Sequence, residues 1–263
     1  MPAMRVLTFL LGMLMVVGCS TVPRAFEPNE PISPDQFSYH SFDAALQAHV
    51  RDGAVDYPAI ARDERFLRHL RQLDRIDPNQ FPTRHARLAF WINTYNAFAI
   101  QGILDGYSPK TLWGRYRYFI AREYPVGGRT INLYDLEQKV LIPDYREPRI
   151  HFVIVCASKS CPKLQSRIYA PATLEEQLEA GARAFINDPA RNRFDREKKI
   201  AHLSMIFKWF ESDFATQAGS LLDYIRRYVL DPDLARDLAQ RPYRIEFVDY
   251  DWSLNGIAHV DQS

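Results

Sequence analysis

Cysteine is scarce in this chain, with three in 263 residues, and no two of them have the Cys-x-x-Cys spacing of a dithiol redox centre. No second close pair of ligands accompanies Cys156 and Cys161, which argues against a zinc site, and neither a cofactor nor a metal is expected. Charge of one sign is also lacking: 33 Lys and Arg stand against 32 Asp and Glu. Those charges are interspersed, without a basic tail, heptad run or internal repeat, so nothing asks for nucleic acid. Beyond the first eighteen residues no apolar run is long enough to span a bilayer.

What is present begins at the amino terminus. Met1 to Arg5 is a short segment with one positive charge, and Val6 to Val17 is an apolar run too short to cross a membrane, the pattern of a secretory signal. Its end, Val16-Val17-Gly18-Cys19, resembles a bacterial lipobox, which implies cleavage before Cys19 and acylation there. Several acyl chains hold a protein on a membrane far more firmly than one. Ser20 after the cysteine favours the outer membrane, facing the periplasm. Removal of residues 1–18 takes away Arg5 alone, leaving 32 basic and 32 acidic residues. Thr21 to Pro34, proline-rich and without periodicity, reads as a tether, so that residues 19–36 are lipidated linker and 37–263 one domain. A chain that is 47% hydrophobic can bury a substantial core at this length.

Helical spacing appears at Phe42 to Val50, at Glu64 to Leu73 and, at greatest length, from Arg84 to Asp105, where Leu88, Trp91, Ile92, Tyr95 and Phe98 form the buried side. Gly127-Gly128 fits a two-residue hairpin turn. Asn132 caps a helix from Leu133 to Leu141, which leaves Glu137 near the buried side, where a carboxylate wants a partner. Thr173 to Glu176 reads as a capping box, Phe194 and Lys199 to Leu203 as extended pieces, and Ser204 as the cap of an aromatic helix. Helices at Leu221 to Leu230 and Leu234 to Ala239 and a strand at Arg244 to Asp249 follow. With little regular βαβ alternation, this order predicts an α+β fold, a small mainly antiparallel sheet flanked by several helices.

The stretch from Arg149 to Leu164 organises the rest. Residues 150–155 are branched or aromatic except His151 and read as a buried strand that ends in a turn carrying Cys156, Ser158, Ser160 and Cys161. In a straight strand His151 and Cys156 would lie about 16 Å apart on opposite faces. Cys161, beyond the turn, is therefore the better partner for His151. Asn93 and Asn96 lie three apart on the long helix among aromatic residues. Each either ties a neighbouring backbone to that helix or serves a reacting group, as orienter or oxyanion donor.

With Phe90-Trp-Ile-Asn-Thr-Tyr-Asn-Ala97, His151-Phe152, Cys156-Ala-Ser158, Cys161-Pro162, Phe207-Lys-Trp-Phe210 and Tyr250-Asp-Trp-Ser-Leu-Asn255 in order, the chain resembles the bacterial family catalogued as domain of unknown function 547. The resemblance spans roughly residues 80–215 and the last motif. It implies an envelope lipoprotein and points to Asn93, Asn96, His151, Cys156, Cys161, Asp251 and Trp252, without naming an activity.

Two functions compete. One is a thiol-dependent hydrolase or acyltransferase with Cys161 as nucleophile, His151 as base and Glu137 or Asn93 as orienter, acting on a cell-envelope protein or peptide. Asn96, Cys156, Ser158, Asp251 and Trp252 are its candidate binding residues. The other is a non-catalytic envelope binding or structural domain in which Cys156 and Cys161 form a disulfide and His151 is a satisfied core histidine.

Overall fold

A computed structural model of the chain describes residues 30–257. The expected signal segment, Cys19 and the first part of the tether lie outside them. The tether's last part is not free chain: the Ile32 N–H donates to the Arg75 carbonyl at 2.9 Å, and Ile32 and Phe37 are buried. The apolar residues at these two positions draw the segment onto the domain, so folding starts earlier than the proline content suggested.

The first half is built of α1 (His40–His49), a two-residue ribbon β1 (Val50–Arg51) and β2 (Ala54–Val55), α2 (Tyr57–Ile60), α3 (Glu64–Arg75) and α4 (Arg84–Leu104). Thr83 starts α4 by accepting from the Ala86 N–H, and both of the helix's faces are then buried, from Ala86 to Ile100 with only Arg87 partly exposed. Gly102 lets two rings approach its backbone: a Cβ there would fall 2.5 Å from the Tyr124 hydroxyl and 2.8 Å from the Tyr118 ring. After α5 (Leu112–Tyr116) and a π-helical turn over 117–121, β3 (Glu123–Val126) and β4 (Arg129–Asn132) pair as the expected hairpin. Gly127 and Gly128 both take positive φ at its tip, the conformation this turn requires.

Asn132 caps the next helical run through the Asp135 N–H, but the run is not one regular helix. It divides into α6 (Leu133–Asp135), a π-helical stretch over 136–141, and α7 (Ile142–Tyr145). Such widened turns recur at functional sites, and this one carries Glu137.

The expected central strand at 150–155 is absent. Pro148 and the Glu147 cap, which accepts from the Arg149 N–H, launch a single 3-10 turn over 148–152, and residues 153–155 continue as irregular chain. The apolar run is buried as expected, but helices surround it and no neighbouring strand pairs with it; periodicity does not separate these cases.

The second half comprises α8 (Leu174–Ile186), β5 (Arg193–Asp195), β6 (Ile200–Leu203), α9 (Met205–Trp209), α10 (Glu211–Ala218), α11 (Leu221–Arg226), α12 (Pro232–Gln240) and β7 (Arg244–Phe247). Thr173 precedes α8 as expected, yet its hydroxyl turns to Gln177 and makes no bond to the helix backbone. The fold is α+β, and among the described residues the strands form three small sheets: two hairpins, and a third in which β5–β6 is antiparallel and β6–β7 parallel.

Two hydrophobic clusters result, one around α4 and one of Phe152, Phe185, Phe207, Phe214 and Tyr224. The 148–155 segment is their seam. Phe152 packs into the second cluster, while Ile150, Val153 and Ile154 pack into the first.

Candidate functional site

The seam opens onto a cleft of about 550 Å³ lined by Tyr95, Glu137, His151, Cys156, Cys161, Trp209, Phe210, Asp213, Tyr250 and Trp252, among others. Each polar group arrives from a different element: Tyr95 from α4, Glu137 from the π-helical turn, His151 from the 3-10 turn and Asp213 from the first turn of α10. The 3-10 turn is braced from outside, where Arg149 donates to Glu147 at 2.8 Å and to Glu175 at 2.7 Å.

His151 is the centre of this arrangement. Its ring stacks on Phe210 with centroids 3.8 Å apart, and its Nε2 lies 2.9 Å from Asp213 Oδ2. With the carboxylate accepting, Nε2 carries the proton and Nδ1 is the bare nitrogen. Nδ1 is buried without a hydrogen-bond partner and lies 3.9 Å from Glu137 Oε1, beyond bonding distance. Burial lowers the histidine's proton affinity, and Asp213 opposes it only in part, so the ring favours its neutral form. Burial has the reverse effect on the Glu137 carboxyl, pushing it up to about 7, with the Asp213 charge adding to the rise and a hydrogen bond from Tyr95, whose hydroxyl is 3.4 Å away, opposing it. The Glu137 carboxyl thus titrates near neutral pH beside an imidazole that favours its neutral form.

Cys156 and Cys161 are joined by a disulfide. Cys161 in this state has no thiol to act as nucleophile, which corrects the catalytic role expected for it. The bridge forms because the turn at 156–161 folds back: the Cys156 N–H donates to Cys161 Sγ at 2.9 Å, and Ala157 takes a left-handed φ of 60°. Tyr250 caps the bridge, donating to Cys161 Sγ at 3.2 Å while Ser158 Oγ donates to the tyrosine oxygen at 3.1 Å. Disulfide and tyrosine together form one wall of the cleft.

Asn93 is not an orienter of His151. Its amide donates to the Tyr169 carbonyl at 2.8 Å and accepts from the Tyr169 N–H at 2.9 Å. Asn96 does the same for the irregular chain after the 3-10 turn, donating to the Val153 carbonyl at 3.0 Å and accepting from the Val155 N–H at 2.9 Å. Both asparagines tie buried backbone to α4. Asp251 lies away from the cleft lining and closes a local turn with Ser253, whereas Trp252 lines the cleft with Arg115 stacked 4.6 Å above it. Among the described residues no group of three or more His, Cys, Asp or Glu is arranged to hold a metal ion.

Sequence reasoning brought His151 and Glu137 together and missed Tyr95, Asp213, Phe210 and Tyr250. Phe210 and Tyr250 stand inside motifs already singled out, so a signal existed for them. Asp213 gave none, because an acid in the first turn of a helix is ordinary complement to its dipole.

Residues 79–186 match a family model described as Protein of unknown function, DUF547, so the resemblance to that family holds over the stretch that carries Glu137, His151 and the disulfide. No curated protein and no solved structure matches the chain.

Proposed function

We propose that the chain is a lipid-anchored protein of the bacterial cell envelope whose cleft hydrolyses an ester or amide with carboxyl and imidazole groups in place of a thiol. The observation that supports the hydrolytic reading is the row Glu137, His151, Asp213, in which an acid raised to about 7 stands 3.9 Å from the bare nitrogen of a carboxylate-held imidazole. A carboxyl that titrates near neutrality is suited to both taking and giving a proton. In the step we infer, water attacks the carbonyl carbon as Glu137 takes one of its protons, and the carbonyl electron pair moves onto oxygen. Collapse of that intermediate breaks the bond to the leaving oxygen or nitrogen, which takes the proton from Glu137. His151, held by Asp213 through Nε2, offers its bare Nδ1 as the acceptor that orients the attacking water. The aromatic lining favours an envelope peptide or acyl group with an apolar side that packs on Trp209, Phe210 and Trp252.

The test is turnover of chromogenic esters and peptide amides by the wild type and by Glu137→Gln. The variant should lose roughly 100-fold or more in kcat, and the wild-type rate should rise with pH through a midpoint near 7, where Glu137 becomes the base. Full activity in both Glu137→Gln and His151→Ala would remove the reading.

A second reading, a non-catalytic binding domain, is favoured by the closed Cys156–Cys161 bridge. It predicts calorimetric binding of the same compounds, weakened by Trp252→Ala, without turnover. The anchor rests on the lipobox at Cys19: Cys19→Ala should move the protein from the membrane to the soluble fraction. A wild-type amino-terminal peptide without acyl mass would rule the anchor out.

A further inference from the structure

Beside the cleft mouth lies a face that no core residue covers. Leu112 is 80% exposed, Trp113 68%, Tyr116 47% and Ile120 41%, all within α5 and the π-helical turn after it. Trp113 and Tyr116 stack with centroids 5.2 Å apart, so they form one surface. Side chains of this size held in water in one place mark a contact site. Within the segment itself the charge has one sign: from Gly106 to Arg122 the sequence has Lys110, Arg115, Arg117 and Arg122 and no Asp or Glu. Arg122 is neutralised by Asp105 at 2.6 Å, whereas Lys110, Arg115 and Arg117 have no carboxylate within ion-pair distance among the described residues. Arg115 links this face to the cleft, stacking on Trp252, whose ring is 5.8 Å from that of Trp209.

We propose that Leu112, Trp113, Tyr116 and Ile120 dock on an anionic phospholipid surface and seat the cleft mouth against the bilayer. This contact is separate from the lipid expected at Cys19. Three features select a bilayer over a protein or a glycan. The backbone is helical, so most of its polar groups are satisfied within the segment as it enters the headgroup layer. The two aliphatic tips, Leu112 and Ile120, offer no flat ring for a sugar to stack on, while Trp and Tyr beside them suit the membrane interface. The unpaired cations match anionic headgroups, each adding to attraction within a Debye length of the surface.

The experiment uses the full-length chain purified in detergent and reconstituted into phosphatidylcholine vesicles with or without phosphatidylglycerol. Amide exchange over residues 111–121 should slow by roughly fivefold or more on the anionic vesicles relative to detergent. Acyl chains brominated near the headgroup should quench tryptophan fluorescence in the wild type and much less in Trp113→Phe. Leu112→Asp with Ile120→Asp should abolish the protection at unchanged melting temperature, because both side chains are exposed in the folded chain. Lys110→Gln with Arg117→Gln should reduce protection to the level seen on phosphatidylcholine alone. Unchanged exchange on anionic vesicles, or equal protection on both lipids, would overturn the proposal. Protection that appears without vesicles and grows with protein concentration would also overturn it and assign the face to a second copy of the chain.

Discussion

Burial of the Glu137 carboxyl, with the Asp213 charge near it, raises its proton affinity against the opposing hydrogen bond from Tyr95, and linkage fixes what that does to folding. Its ordinary value is 4.5 and its folded value about 7. Between those values the folded chain keeps a proton that the unfolded chain has released, so stability falls as pH rises through the window and levels off above it. The shift corresponds to about 3 kcal/mol. Glu137→Gln removes the titration. Relative to wild type its stability in urea denaturation should therefore improve by about 3 kcal/mol between pH 4.5 and pH 8, and a difference that did not change with pH would contradict the burial argument. A residue that weakens the fold in this way fits the chemical role proposed for it. Glu137 was legible in the sequence because helical phase put it next to Leu133 and Val140. Its partner across the imidazole was not, since Asp213 is 62 residues from His151 and nothing local distinguishes it from a helix-start acid.

At the scale of elements, what local chemistry determines could be read in advance. The Ser204 cap, the Gly127-Gly128 turn and the helical spans of α3 and α4 all lie where spacing put them. The failure at 150–155 has a physical reason. Branched apolar residues are buried equally well in a strand or in irregular chain, and the difference lies in where the backbone finds hydrogen bonds. Here Asn96 supplies them, and without a sheet partner nothing else replaces the pair it makes with Val153 and Val155. Asn96→Ala should leave a buried carbonyl and N–H unsatisfied and cost about 2 to 4 kcal/mol, measured by chemical denaturation. A loss under about 1 kcal/mol would mean that water replaces the amide.

For the molecule as a whole, the two hydrophobic clusters raise the question of whether they unfold together. Consecutive residues of one short segment face different clusters, Ile150 and Val153 one and Phe152 the other. Withdrawal of either cluster would pull on the other through the His151 turn, so a single transition is expected. The disulfide sits at the end of that segment and spans a separation of five residues. Closing so short a loop contributes about 2 kcal/mol through the unfolded chain's lost freedom. Reduction does not leave the turn unsupported, because Lys159 N–H donates to the Ser253 carbonyl at 2.9 Å, Asn255 N–H to the Ala157 carbonyl at 3.0 Å, and Arg191 to the Cys161 carbonyl at 3.0 Å. Cys156→Ser with Cys161→Ser should therefore fold, melt in one step, and lose about 2 kcal/mol, with the larger change in exchange rates confined to 156–161 and to the chain around Tyr250. Two resolved transitions in calorimetry, or global unfolding on reduction, would show that the bridge and not the shared seam holds the two clusters together.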